Sequence, residues 1–558
     1  MNTEPAANQP TDKSWGIAKD RARTGTTPLP SPAPAAGQPG RAAGAWPWWL
    51  GRHPLLALTA TLIVWGLVDV RSRGRIEPGN LVEHRTDFTV YTEAGAACFD
   101  GRDPYGVTNA RGWGYLYPPL FAILVAPLAT LDPQWQVTVW FFVSLLLLWA
   151  CYRESTLLVD WLAAAGRIAG KGPPADRTAA SDGPTTRPPD WLPWGAAIAA
   201  ALPTLNCLQR GQVGLFQLYL LLVGFRLLLT TAPGRRSAML RAALAGVILA
   251  LAVVVKVTAA LPVGLLVLER FAAARRRRPS AARVQARGLG VGLAVGMALW
   301  LLLVPGWAIG WQRNLDCLTR WCSLVPTKAI DTGPSQFAGD SYSVRNQSLV
   351  NAVRHLGNWI AEEVAGEGDS PRSVGPNDPP RVMDTPAVGH LLLAARLAVL
   401  ALATLAAVWV GSQGDPLATA SLFALGLVAS LVVSPVARTH YFLLLAPAVL
   451  LAPWYLHCAG RTRLAWWLAW TPTVLVVPHY FWPAAAGRLG WLGIGITAWL
   501  IGSGMLMWRV GRDRTRSRVL SWRERPPLEI GAAAIDRSAS CREAAASCVV
   551  GEFDPSEN

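Results

Sequence analysis

Residues 390–410 read HLLLAARLAVLALATLAAVWV, twenty-one positions with a single charged side chain, Arg396. An α-helix of that length rises about 30 Å, the thickness of a bilayer's hydrocarbon core. Its apolar residues neither alternate with polar ones nor keep to one helical stripe, so the segment has no face to offer water. Working outward, blocks of the same kind stand at 60–70 (ATLIVWGLVDV) and 137–152 (VTVWFFVSLLLLWACY). Thirteen can be marked, at about 46–70, 116–131, 135–152, 191–208, 213–230, 242–255, 257–271, 288–305, 389–410, 417–434, 441–457, 464–478 and 489–508. The composition agrees, because only 15% of the 558 residues are charged, against about 25% in ordinary globular chains, and 52% are hydrophobic. A water-soluble enzyme, a fibrous protein and a disordered chain are thereby excluded, and an all-α polytopic membrane protein is expected.

The 51 Lys and Arg against 35 Asp and Glu leave a net charge of +16. On a multi-pass chain that excess is first a topology signal, so no nucleic-acid partner is expected. Arg235, Arg236 and Arg241 mark one cytoplasmic loop, Arg275 to Arg278 a second, Arg461 and Arg463 a third, and Arg509, Arg512, Arg514, Arg516 and Arg518 the C-terminal tail. Residues 1–45 carry no secretory signal, and the block from Trp46 runs too long for a signal's apolar region, so it counts as the first span behind a cytoplasmic tail. Parity then puts Arg210-Gly-Gln-Val, Lys256, residues 306–388, the turn Ser434 to His440 and the turn at His479 on one outer face. Three blocks separate an outer Tyr115 from an outer Arg210, so one of them does not span. The block 191–208, which contains Pro203, is the expected re-entrant or interfacial helix, leaving about twelve spans, between 11 and 13.

The domain layout expected is a disordered cytoplasmic tail 1–45, a transmembrane domain 46–508, and a basic then polar cytoplasmic tail 509–558. Within the domain lie a flexible linker, 166–190 (GRIAGKGPPADRTAASDGPTTRPPD), and a large extracytoplasmic loop, 306–388. Cys317 and Cys322 in CLTRWC sit in that loop, either as an oxidised pair or as free thiols; their spacing is no metal signature.

The first outer loop, EHRTDFTVYTEAGAACFDGRDPYGVTNARGWGYLYPPLFAILVAPL, is the most informative stretch. From Leu81 to Phe99 the residues Phe88, Tyr91, Gly95 and Phe99 recur near helical spacing, which predicts a helix lying in the membrane interface. Asp87, near its start, has two readings. It caps the helix through backbone amides, or it stands at the mouth of a membrane cavity as a general base for an acceptor hydroxyl. Lys256 interrupts an apolar hairpin, LALAVVVKVTAALPV, and either snorkels to the interface or serves a substrate. Arg210 and Arg438 are interfacial anchors or partners of a phosphate, and His440 is a hydrogen-bonded interface residue or a donor to substrate. Asn346-Gln-Ser fits a glycosylation acceptor pattern, but a structural or substrate-contact role is preferred.

Read in order, Asp87-Phe, Gly101-Arg-Asp-Pro-Tyr105, Tyr117-Pro-Pro-Leu120 and Pro127-Leu128 resemble the opening of glycosyltransferase family 87, the polyprenol-phosphate-mannose-dependent mannosyltransferases. Gln209-Arg-Gly-Gln-Val213, Lys256 with Pro262, Asn346-Gln-Ser-Leu349 and Ser434-Pro435 with His440-Tyr441 extend the resemblance over about residues 80–445. The chain departs from the pattern at Arg438, where an aromatic residue is expected nearby, and at Gly214, where Asn is common.

The resemblance implies a GT-C membrane fold and an inverting hexosyltransferase of the plasma (inner) membrane that works on its extracytoplasmic side. Mannose would pass from a polyprenyl-phosphate donor to a glycolipid or glycan acceptor. Asp87 would be the catalytic base, and Arg210, Gln212, Lys256, Asn346, Arg438, His440 and Tyr117 would bind the donor phosphate or substrate. No metal or cofactor is expected, the lipid-linked sugar being a substrate; membrane lipid is a further partner. The alternative is a multi-pass transporter or flippase of a lipid-linked sugar.

Overall fold

The fold comes from a computed structural model, which describes residues 63–73, 86–109, 114–169, 187–230, 234–276, 280–325, 345–364, 383 and 385–523. The N-terminal tail 1–45, most of the 166–190 linker, parts of the 306–388 loop and the chain beyond 523 lie outside them. The described residues are helical throughout, with one isolated bridge, Thr108 to Gly114, and no strand. After a helical stretch at 63–73 come α1 (Asp87–Asp100), α2 (Pro119–Val125, continued as a tighter turn Ala126–Thr130), α3 (Pro133–Ala169), α4 (Trp191–Arg210), α5 (Gly214–Leu229) and α6 (Arg235–Val255). They are followed by α7 (Ala260–Arg276), α8 (Ser280–Ala298), α9 (Val304–Ile309), α10 (Trp311–Leu324), α11 (Leu349–Val364), α12 (Pro386–Gln413) and α13 (Pro416–Val433). The chain closes with α14 (Leu445–His457), α15 (Thr462–Phe481), α16 (Pro483–Arg488) and α17 (Trp491–Arg523).

Among the described residues nine helical segments are long and apolar enough to cross a membrane: 133–165, 191–210, 235–255, 257–276, 282–309, 386–413, 416–433, 439–457 and 491–514. Beside them stand the shorter apolar α5 and the 20-residue α15, which contains Pro472 and Pro478. The protein is therefore an all-α polytopic membrane protein. One expectation is corrected. The block 191–208, expected to stop short of spanning, is the continuous 20-residue α4, about 30 Å long and carrying Pro203 within it. The short member of the three is 116–131: Pro118 and Pro119 delay its start, and α2 with its tight turn covers only Pro119–Thr130. Parity survives with the roles exchanged.

α13 is the central helix, with 83% of its apolar window buried, whereas α12 is peripheral at 11%. Leu391, Leu397, Leu402 and Leu405 of α12 are exposed, as expected of side chains that face lipid. Close approach inside the bundle depends on small residues. Gly288, Gly292 and Gly296 of α8 recur every fourth residue against Met239, Ala243, Val247 and Ala250 of α6, and Gly246 of α6 lies against Leu289 of α8. A Cβ at Gly246 would stand 2.6 Å from the Leu289 carbonyl, so this is the small-residue seam by which membrane helices bring their backbones together. Ion pairs between Glu154 and Arg226 (2.5 Å) and between the fully buried Glu269 and Arg270 (2.5 Å), with Thr419 donating to Glu269, lie within the bundle. Removing one partner of such a pair strands a charge.

The long helices joined by short turns, α4 to α8 and α12 to α15, reverse in sense from one to the next, so their connections collect at two ends. One end holds the C-termini of α4, α6 and α13 and the N-termini of α1, α5, α7 and the turn before α14. The arginines at 235, 236, 241, 275, 276, 461, 463, 509 and 512 lie at or beyond the other end.

Candidate active site

α1 begins because Thr86 caps it: the Thr86 hydroxyl accepts from the Phe88 and Thr89 amides at 3.0 and 3.4 Å. That takes the capping role away from Asp87, the first helical residue, whose carboxylate is partly exposed to a cavity of about 130 Å³. The helix begins at Asp87 within the expected 81–99; residues 81–85 lie outside the described set, and Phe99 is exposed. Both oxygens of Asp87 are held by neutral amides: Asn109 donates to Oδ1 at 2.9 Å and Gln212 donates to Oδ2. The Gln212 carbonyl in turn accepts from the Tyr91 hydroxyl (3.3 Å), which also shares a hydrogen bond with Tyr117 (3.3 Å). Burial holds both phenols well above their usual pKa, so they remain neutral.

Each motif has a local reason. In Tyr115-Leu-Tyr-Pro-Pro the hydroxyl of Tyr115 donates to the Pro118 carbonyl (2.7 Å) and accepts from the Ala122 amide (2.9 Å), satisfying one of the orphan donors of α2's first turn. Asp103 of Gly-Arg-Asp-Pro-Tyr accepts from the Tyr105 amide (3.0 Å), and the Tyr105 hydroxyl donates to the Tyr117 carbonyl. In Arg210-Gly-Gln-Val, Gly211 ends α4 in the left-handed region at φ +64°, and a Cβ there would stand 2.6 Å from Cβ of Phe88. Only glycine combines that turn with that approach, and the approach carries Gln212 to Asp87.

The helix break at Lys256 is held from α5. Gln217 donates to the Lys256 carbonyl and to the Thr258 hydroxyl, each at 3.0 Å. Lys256 lies in the turn between two spans, its ammonium 3.3 Å from the centre of the Tyr441 ring. Burial lowers its pKa to about 7, opposed by the nearby Cys207 and Asp87.

The turn Ser434 to His440 is fixed from behind. Asn346, fully buried, accepts from the Ala437 amide (2.9 Å) and donates to the Pro435 carbonyl (3.3 Å), and the Gln347 amide donates to the Ala437 carbonyl (2.7 Å). The turn presents His440 and Tyr441. Both ring nitrogens of His440 are buried without a hydrogen-bond partner among the described residues.

Asp87, Tyr117, Gln212, Lys256, Arg438 and His440 line the one cavity, together with Trp321 and Val325 around α10's end. Arg438 also lines a second cavity of about 180 Å³, formed with Asn206, Arg210, Arg345, Thr439, His479 and Tyr480. Seven of the eight expected residues thus line two adjoining cavities. Asn346 lines neither, its amide being engaged by the turn. Sequence reasoning named none of Asn109, Tyr91, Arg345 and His479 as site residues, although it set the His479 turn on the same face. Tyr91 was visible only as a helix-face aromatic, and Arg345 only as the neighbour of Asn346. Among the described residues no group of three His, Cys, Asp or Glu side chains gathers. The arrangement pairs an oriented carboxylate with a cationic surface suited to an anionic group.

A polytopic helical bundle with a polar, cation-rich site at one end is the class that the geometry defines. The sequence profile of glycosyltransferase family 87 matches residues 115–435, more than half of the chain. The protein belongs to that family and is a membrane glycosyltransferase. Asp87 precedes the matched stretch, and Arg438 and His440 follow it. Comparison with curated proteins and with solved structures finds no match.

Proposed function

We propose that the protein is a GT-C-like hexosyltransferase that moves mannose from a polyprenyl-phosphate donor to an extracytoplasmic glycolipid or glycan acceptor, with inversion. The observation that carries this reading is the Asp87 carboxylate. Freed from capping by Thr86 and oriented by Asn109 and Gln212, it shares one cavity with Lys256, Arg438 and His440. In a single displacement the acceptor oxygen bonds to the anomeric carbon as the bond from that carbon to the phosphate oxygen breaks. The acceptor's proton passes to Asp87, and the departing polyprenyl phosphate carries the new charge. Lys256, Arg438 and Arg210, joined by Arg345, stabilise that charge, and preorganised cations act most strongly where charge develops. Asp87, Gln212, Tyr117 and His440 line the acceptor's side, while Asn346 positions the turn.

The arginine-rich loops at the opposite end support an extracytoplasmic site, because such residues are retained on the cytoplasmic face. Membership of a glycosyltransferase family favours transfer over the transporter reading.

The test is purified protein in lipid nanodiscs, given polyprenyl-phospho-mannose with radiolabelled sugar and a total lipid extract. A new labelled lipid is expected. Label that moves only from a nucleotide sugar would refute the donor assignment, and label that moves only from another polyprenyl-phosphate hexose would refute mannose.

A further inference from the structure

Outside the two cavities, a cluster of reactive side chains lies where α1 meets α10. Arg313 of α10 donates to the carbonyls of Cys98 (2.6 Å), Ala97 (3.0 Å) and Arg102 (2.8 Å), capping the C-terminal end of α1. Beside this clamp Cys317 follows Arg313 by one turn of α10, and its side chain interacts with that of Cys98 in α1, Cys98 fully buried and Cys317 nearly so. Cys322, the other cysteine of CLTRWC, is exposed and five residues further along the same helix, so it does not face Cys317. The two helices joined here both line one cavity: α1 supplies Asp87, Val90 and Tyr91, and α10 supplies Trp321, with Val325 just beyond its end.

We propose that Cys98 and Cys317 form a disulfide that staples α10 to the helix bearing Asp87 and so holds the shape of the cavity they both line. The proposal rests on the extracytoplasmic placement of this end of the bundle, since such bonds form and persist in oxidising compartments. The oxidant is a disulfide-bearing protein. The Cys317 thiolate attacks its disulfide, giving a mixed disulfide and one released thiolate. The Cys98 thiolate then attacks the Cys317 sulfur and displaces the second. The two cysteines lose two electrons and two protons, and the oxidant ends as a dithiol. The interaction with Cys98, with Arg313 beside it, holds the Cys317 thiol below its usual pKa, which makes Cys317 the first nucleophile.

The three cysteines fall on separate tryptic peptides, 86–102, 314–320 and 321–328, so the pairing can be read by mass. The full chain is purified without reductant, denatured in excess N-ethylmaleimide, digested and analysed by mass spectrometry. In parallel, intact cells are treated with a membrane-impermeant maleimide and labelling of Cys322 is measured. The expected result is a reducible 86–102 to 314–320 cross-link, with Cys322 labelled in intact cells. Cys98 and Cys317 both alkylated, or Cys317 linked to Cys322, would overturn the staple. If in that case Cys322 is labelled from outside, the placement stands and the staple alone has failed. A 98 to 317 cross-link with Cys322 reached only after permeabilisation would uphold the staple and refute the placement.

Discussion

Replacing Gly211 by alanine is predicted to injure the protein far more than replacing Gly214, three residues later. Gly211 holds φ at +64°, where an L-residue costs roughly 1–2 kcal/mol. Its new Cβ would also stand 2.6 Å from Phe88 Cβ, an atom fixed to the backbone that cannot swing aside. Overpacking of this kind costs about a further 1–3 kcal/mol, so the sum is roughly 2–5 kcal/mol. At Gly214 the new Cβ meets Leu443 Cδ2 at 2.8 Å, the far end of a flexible side chain, and the backbone there is not in the left-handed region, so no conformational strain adds to the crowding. Thermal unfolding in detergent, followed by tryptophan fluorescence, should place Gly211→Ala about 4 °C or more below wild type and Gly214→Ala within about 2 °C. Because Phe88 adjoins Asp87, displacement of Phe88 should also lower transfer at least about tenfold in Gly211→Ala, while Gly214→Ala keeps most activity. Equal melting points for the two variants would refute the idea that Gly211 exists to let Phe88 and Gln212 approach.

Gln212→Glu sets a second carboxylate against Asp87, and one of the two must then hold a proton at neutral pH; transfer should fall and recover partly at higher pH, which a pH–rate profile reads directly. Burial lowers the Lys256 pKa to about 7, so an anionic donor should bind best below that pH and its KM should rise towards pH 9. Lys256→Arg should flatten this dependence, and an unchanged slope in the variant would show that another group titrates. Asn346→Ala strands the buried Ala437 amide, at about 1–3 kcal/mol, so it should lower the melting point by several degrees. If Asn346 instead contacted substrate, KM would rise at unchanged stability.

Much of this was legible in the sequence because the bilayer imposes a length rule: apolar blocks near 20 residues become helices, and basic loops orient them. That rule brought Asp87, Arg210, Lys256 and His440 to one end. It failed at 116–131, where apolar content suggested a span but Pro118, Pro119 and the tight turn Ala126–Thr130 leave only a short helix. It also left Asp87 ambiguous, since Asp and Thr are both good caps and only the geometry shows that Thr86 takes the role. Arg345 and His479 were not named as site residues because tertiary packing carries them to Arg438 from distant segments without a shared motif. The approach of Cys98 to Cys317 was hidden for the same reason, since the two lie more than two hundred residues apart.

The most direct test of the account compares single-turnover transfer by wild type and Asp87→Asn at saturating donor, alongside donor affinity measured on the same nanodisc samples. If Asp87 takes the acceptor's proton, the rate should fall at least about 100-fold while donor affinity stays within about twofold. Wild-type transfer by a correctly inserted Asp87→Asn would contradict it.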